Sequence, residues 1–216
     1  MKQALMVWGG WDGHQPKECV DRFAPFLKVQ GFEVTIRDSL DAYLDKPLMD
    51  RLDLVVQSWT CGQLSGDQEK ALIEAVKRGV GIAGWHGGLG DSFRNSVDYQ
   101  FMIGGQWVQH PGNLMDYEVH ISDFDDPVTA GLKDFRMTAT EQYYLHVDPS
   151  NIVLANTTFS GDTNDWIKGT VMPVVWKRRC GKGRVFYNSL GHNAKDFDVP
   201  EARTIMERGM IWAARN

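Results

Sequence analysis

Four glycine-bounded turns carry the residues with the most chemical potential: Gly9-Gly10-Trp11-Asp12-Gly13-His14, Trp59-Thr60-Cys61-Gly62, Gly84-Trp85-His86-Gly87-Gly88 and Leu190-Gly191-His192-Asn193. Each follows a run that reads as a strand, and open α/β sheets bind ligands beyond the carboxyl ends of their strands. The third turn has the spacing of an elbow, in which a sharp strand-to-helix turn exposes its central residue at the top of the sheet. That residue is His86. An imidazole held this way suits a general base, an electrophilic donor or a metal ligand. His86 and His192 are the candidate base and acid, Glu141 orients one of them or serves as an acid itself, and His14 is expected on the opposite rim.

The same residues allow a second chemistry. His14, His86, His110, Glu141 and His192 are nitrogen and oxygen donors that could converge on zinc or another divalent metal. No HxxxH or HExxH pair occurs among them, so spacing gives this reading no independent support. A plainer alternative is that the glycines only let the chain turn and His86 is a satisfied core residue. Trp11, Trp59 and Trp107, beside glycines or polar loop groups, are candidate pocket walls together with His14 and Gln106, with Arg94 behind them. Trp8, Trp85 and Trp166 read as core fillers first. His120 alternates with Val119 and Ile121 and should face solvent. Cys61 lacks the glycine spacing of an elbow, so no activated thiol with a positioned base is expected.

These residues need a frame. Ala4 to Trp8 is a short apolar run suited to a strand buried on both faces. Pro16 to Gln30 repeats apolar residues at intervals of three and four and predicts a helix, with a kink or break at Pro25. Phe32 to Arg37, Leu52 to Ser58 and Val80 to Trp85 read as strands. Asp38 to Arg51 is a polar connection with a helical turn after Pro47, and Ser65 with Gln68 caps a helix ending at Gly79. This order predicts a doubly wound, mostly parallel α/β sheet of the flavodoxin type. Further on, Tyr117 to Ile121, Met137 to Tyr144, Ile152 to Thr158, Pro173 to Lys177 and Arg184 to Ser189 predict an antiparallel extension. The last two should be joined as a hairpin through Arg178 to Gly183, and a helix then runs from Pro200 to Ala214.

Composition narrows the partners. The chain has 216 residues, 43% hydrophobic, with 22 glycines and 8 prolines, so low-complexity and largely disordered readings fall away and one domain over 1–216 is expected. With 28 acidic against 23 basic residues the formal charge is −5, which argues against nucleic acid as a partner. No stretch reads as a signal peptide or a membrane span, and three scattered cysteines fit a reducing cytoplasm better than a disulfide framework. Short strands in the second half offer edges through which a homo-oligomer could pair.

An ordered set of motifs carries a family resemblance. Gly84-Trp85-His86-Gly87-Gly88, Ile103-Gly104-Gly105-Gln106-Trp107 with His110-Pro111, Asp126-Pro127-Val128-Thr129-Ala130-Gly131-Leu132, Thr140-Glu141-Gln142-Tyr143-Tyr144, Pro173-Val174-Val175-Trp176, Gly181-Lys182-Gly183-Arg184-Val185-Phe186-Tyr187, Leu190-Gly191-His192 and Ile211-Trp212-Ala213-Ala214 follow one another from about residue 80 to the end. Together they resemble the ThuA-like, trehalose-utilisation family, whose fold is that of class I glutamine amidotransferases. The resemblance implies a small-molecule sugar or keto-sugar as partner and the breakdown of trehalose or related disaccharides through 3-keto intermediates. A keto group acidifies its neighbouring C–H bonds, so a base and an electrophile would suffice for isomerisation or elimination, and a bound ion would polarise the keto oxygen or activate a water. The amidotransferase relatives carry cysteine at the elbow where this chain has His86, so glutaminase activity is not expected. A sugar-binding or assembly module without catalysis is the competing reading.

Overall fold

The computed structural model describes residues 1–215. In chain order its elements are β1 (Lys2–Gly10), α1 (Pro16–Val29), β2 (Phe32–Arg37), α2 (Lys46–Arg51), β3 (Leu54–Thr60), α3 (Gly66–Arg78), β4 (Gly81–Trp85) and α4 (His86–Gly90). They continue with α5 (Val97–Ile103), β5 (Gly105–Gln109), β6 (Leu114–Ile121), β7 (Phe135–Glu141), β8 (Tyr144–Val147), β9 (Ile152–Thr158), β10 (Val171–Cys180), β11 (Gly183–Asn188) and α6 (Pro200–Ala213).

Nine strands form one sheet in the order β2-β1-β3-β4-β11-β10-β9-β6-β7. The first five run parallel and the remainder antiparallel, while β5 and β8 pair as a separate antiparallel ribbon. This is the doubly wound α/β sheet with an antiparallel extension, of the class I glutamine amidotransferase-like type.

Alternation along the strands divides the interior in two. On β1, Ala4 and Met6 face a core shared with Cys19, Val20, Phe23 and Leu27 of α1 and Ile205, Met206 and Met210 of α6. Leu5 and Val7 face the other core, with Leu72, Ile73 and Val76 of α3 and Tyr99 and Met102 of α5. A strand so buried on both faces cannot show polar alternation, which is why β1 and β3 read as apolar runs. The capping box closes α3, with Ser65 Oγ accepting from the Gln68 amide and the Gln68 side chain accepting from Ser65 N–H.

The structure departs from the sequence reading in several places. Helix α1 runs unbroken through Pro25. Pro25 and Asp21, four residues earlier, are both exposed, so the carbonyl that loses its partner faces water. The expected strand from Met137 to Tyr144 is two strands, β7 and β8, that enter different sheets. The polar Asp38 to Arg51 connection holds a 3-10 turn at Leu40–Leu44 as well as α2. Helix α5 and strand β5 are additional, and Trp166 is 79% exposed rather than a core filler. The hairpin between β10 and β11 is tighter than expected, with Cys180 paired to Gly183.

Candidate active site

The elbow is real in backbone terms. His86 has φ of +46°, a left-handed conformation uncommon for a residue with a Cβ. It directly follows β4 and opens the five-residue α4. The flanking glycines are required sterically. A Cβ on Gly84 would lie 2.6 Å from the Gln57 carbonyl oxygen, one on Gly87 2.6 Å from the His14 ring, and one on Gly88 2.8 Å from Ser58 Cα. Gln57, fully buried, clamps the turn: its amide donates to the Gly88 carbonyl at 3.1 Å while its oxygen accepts from Tyr43 Oη at 2.9 Å. The Tyr187 hydroxyl donates to the His86 carbonyl at 3.0 Å.

Around this turn the parallel strands deliver three imidazoles. His14 ends the 3-10 turn Asp12–His14 after β1; its Nδ1 lies 2.8 Å from Thr60 Oγ1, at the end of β3. Strand order reverses between β1 and β3, so this contact spans the crevice where such sheets bind ligands. His192 follows β11 and donates its backbone N–H to the Asp196 carboxylate at 3.0 Å. The His86, His14 and His192 rings meet edge-on, with centroids 4.7 to 5.5 Å apart.

Glu141 arrives from the antiparallel extension as the last residue of β7, and its carbonyl accepts from Tyr117 Oη at 3.1 Å. Its Oε2 lies 3.1 Å from His86 Nε2, 3.4 Å from His192 Nδ1 and 3.8 Å from His14 Nε2. Burial works to neutralise this carboxyl, but the facing His14, His192 and His86 outweigh it and hold the group well below the usual carboxylate range. Burial likewise dominates His86 and pushes its imidazole down to about 3 against the pull of Glu141. Tyr143 stacks on His86 with centroids 3.8 Å apart.

Beside the cluster opens a pocket of about 230 Å³ to which His14 and Glu141 belong; Trp11, Arg94, Trp107 and His110 also line it, with Thr60, Cys61, Asp91 and Tyr143. Its volume is under the ~300–1,000 Å³ of typical small-molecule sites, so it takes a small ligand or one unit of a larger one. Arg94 is fixed by a bidentate pair with Asp91, at 2.5 and 2.8 Å, and lies 4.5 Å over the Trp107 ring.

The structure therefore brings together most of the sequence candidates and rearranges their roles. His14 belongs to the cluster rather than to an opposite rim. His86, 1% exposed, and His192 are not among the residues lining the pocket, and His86 is too buried to meet a ligand as a free base or acid would. His110 is displaced from the expected five-residue donor set: its Nε2 faces the other oxygen, Oε1, at 3.8 Å, because it approaches from the β5 side. Trp59 is not a pocket wall; its ring covers Gly9 and Gly62, where a Cβ would come within 2.5 and 2.7 Å of it. Gln106 does not line the pocket either; its backbone pairs in the ribbon with His146. His120 pairs with Asp134 on the surface.

Sequence reasoning missed Asp91, Thr60 and Tyr143. Tyr143 sits two residues past Glu141 in a quoted motif, and Thr60 beside a singled-out cysteine, so a signal existed in both cases. Asp91 had none. Cys61 does line the pocket, with φ of +62°. Its thiol is pushed up by burial and by the Asp91 carboxylate, the reverse of what a thiolate nucleophile needs.

The ThuA family model, described as trehalose utilisation, matches residues 3–213. Among solved structures, a ThuA-like protein from Bacteroides uniformis ATCC 8492 superposes with a TM-score of 0.80 at 16% identity, over 98% of this chain and 91% of that one. A second, from Parabacteroides merdae ATCC 43184, gives 0.80 at 18% identity, over 98% and 89%. A cytoplasmic protein from Salmonella typhimurium LT2 gives 0.71 at 11% identity, over 99% and 100%. At these identities the likeness concerns the fold. No curated protein matches the chain. Among the described residues, no helix is long and apolar enough to cross a membrane.

Proposed function

The chain belongs to the ThuA family of trehalose utilisation, and from that premise we propose that it is an enzyme acting on a keto-sugar derived from trehalose or a related disaccharide. The observation that carries this reading is the convergence of Glu141, His14 and His110 on one small pocket that Trp11 and Trp107 also line. Indoles lining a pocket suit a sugar ring, and the volume suits one hexose, the second lying toward solvent.

In this reading the proton-transfer pair is His110 with Glu141 Oε1, the arrangement of an imidazole oriented by a carboxylate. The base takes the proton from the carbon beside the ketone. The C–H electron pair moves into the carbonyl to give an enolate, whose oxygen needs an electrophilic partner at the pocket floor, beside His14. When the carbonyl re-forms, the pair either recaptures the proton or expels the glycosidic oxygen on the adjacent carbon. That oxygen then takes the proton from the imidazolium. The first outcome is exchange or isomerisation; the second releases one sugar and an unsaturated keto-sugar. His86 and His192 flank Glu141 Oε2, and Tyr143 stacks on His86.

The test is proton NMR of a 3-keto-disaccharide in D2O with the purified protein. Wild type is expected to exchange the proton beside the ketone and to release sugar. His110→Ala and Glu141→Gln should slow both by about the 10²–10⁴-fold that a general acid–base group contributes. A folded wild type that binds the keto-sugar without exchange or release would instead make the protein a binding module.

A further inference from the structure

One carboxylate oxygen is surrounded by three imidazoles, and the hydrogen bonds leave their charges unbalanced. The Ser189 carbonyl, 2.8 Å from His86 Nδ1, can only accept, so Nδ1 carries the hydrogen of the neutral ring. The opposite nitrogen, Nε2, then turns a lone pair toward Glu141 Oε2 at 3.1 Å. His192 Nδ1 is buried with no hydrogen-bond partner while 3.4 Å from the same oxygen. His14 Nε2 completes the ring at 3.8 Å. One proton could bridge a single nitrogen–oxygen pair; three nitrogens about one oxygen call for a centre with several coordination positions.

The dimensions agree at the carboxylate, and the widest donor pair would draw in on binding. The four ligand atoms lie within 4.8 Å of one another. A tetrahedral zinc centre with bonds of ~2.0–2.1 Å has donor–donor edges of roughly 3.3–3.4 Å. The three contacts of Glu141 Oε2, at 3.1, 3.4 and 3.8 Å, bracket that value. Far ring nitrogens are also held as metal-bound imidazoles usually are, His86 Nδ1 by a carbonyl and His14 Nδ1 by the Thr60 hydroxyl.

The geometry points to a mononuclear centre for a divalent first-row transition metal of the zinc type, held by His14, His86, His192 and Glu141. Three imidazoles and one carboxylate favour such an ion over magnesium or calcium, which prefer all-oxygen shells. His110, on the far carboxylate oxygen, stays outside. Because His14 and Glu141 line the pocket, an ion here borders a bound sugar and, by expanding from four to five ligands, supplies the electrophile for the enolate oxygen. That role rests on the proposed keto-sugar chemistry, whereas the site itself does not.

Protein stripped with chelator and titrated with Zn2+ or Co2+, without sugar, tests the site directly. Expected are one equivalent bound by elemental analysis, visible ligand-field bands of nitrogen-coordinated Co2+, and a rise in melting temperature. His192→Ala and Glu141→Gln should weaken binding by more than the ~10–100-fold typical of losing an outer partner, Thr60→Val by about that amount, and the surface control His120→Ala not at all. Circular dichroism of each variant separates loss of ligand from loss of fold. Wild type that takes up neither ion, or His192→Ala and Glu141→Gln variants that bind as tightly as wild type, would overturn the proposal. Undiminished keto-sugar turnover by the stripped protein would overturn the ion's role as electrophile and leave the site standing. Metal uptake with those variant losses, in a protein inert toward keto-sugars, would uphold the site and overturn only the proposed reaction.

Discussion

The parallel strands β1, β3, β4 and β11 end in turns that bring His14, Thr60, His86 and His192 together; the antiparallel extension and the β5–β8 ribbon bring Glu141, Tyr143, Trp107 and His110. The imidazoles of the buried cluster therefore come from one region and its carboxylate from the other. The first region places its groups by tight glycine turns that allow little adjustment, as the contacts around Gly84, Gly87 and Gly88 show. The second places them at the end of an edge hairpin, where pairing with β6, itself held by β9, fixes the reach of β7. Neither region holds a complete site, and the four-residue cluster forms only when they dock.

The largest expected effect tests whether the two regions are one cooperative unit. Trp85 packs against Phe23 and Phe197 below the parallel strands, and Trp176, on β10, donates its indole N–H to the Ile103 carbonyl at 2.9 Å. Truncating either to alanine should cost about 3–5 kcal/mol, measured by urea unfolding. Coincident fluorescence and circular-dichroism transitions in both variants are expected; separated transitions would mean that the regions unfold independently. Next, Gly84→Ala drives a Cβ into the Gln57 carbonyl and should cost about 1–3 kcal/mol by overpacking, with disproportionate loss of metal binding because the elbow shifts. Metal affinity unchanged in that variant would show that the turn is more compliant than its contacts imply.

Smaller is Ser65→Ala, which removes the cap of α3 and should cost about 1 kcal/mol in thermal unfolding while sparing the site, since α3 contributes none of its residues. The smallest effect concerns thiols. Burial pushes Cys19 up to about 12, and Cys61 is raised by burial and Asp91. At pH 8 the native protein should react slowly with iodoacetamide and keep its turnover in the early phase of alkylation. Rapid, inactivating modification of Cys61 would reinstate a thiol mechanism and move the chemistry away from the Glu141 cluster.

Legibility in the sequence followed the same division. Strands buried on both faces, a capping box and the elbow are local patterns, so β1 to β4, α1, α3 and the turn at His86 could be read directly. Met137 to Tyr144 looked like one strand because its residues all suit extended backbone; only the pairing of Tyr144 with β5 rather than β6 divides it. Trp59 and Gln106 had the type and position of pocket walls, yet one lies over glycines and neither lines the pocket.

By itself the sequence determined which turns are tight, which residues carry donors, and that His86 rather than cysteine occupies the elbow, because glycine spacing and apolar periodicity act over a few residues. Tertiary structure alone decided that Glu141 sits among His14, His86 and His192 with His110 on its other oxygen, and that His86 is shielded from the pocket. Those facts depend on strand order and on the docking of the antiparallel extension, which bring together residues more than a hundred positions apart in the chain.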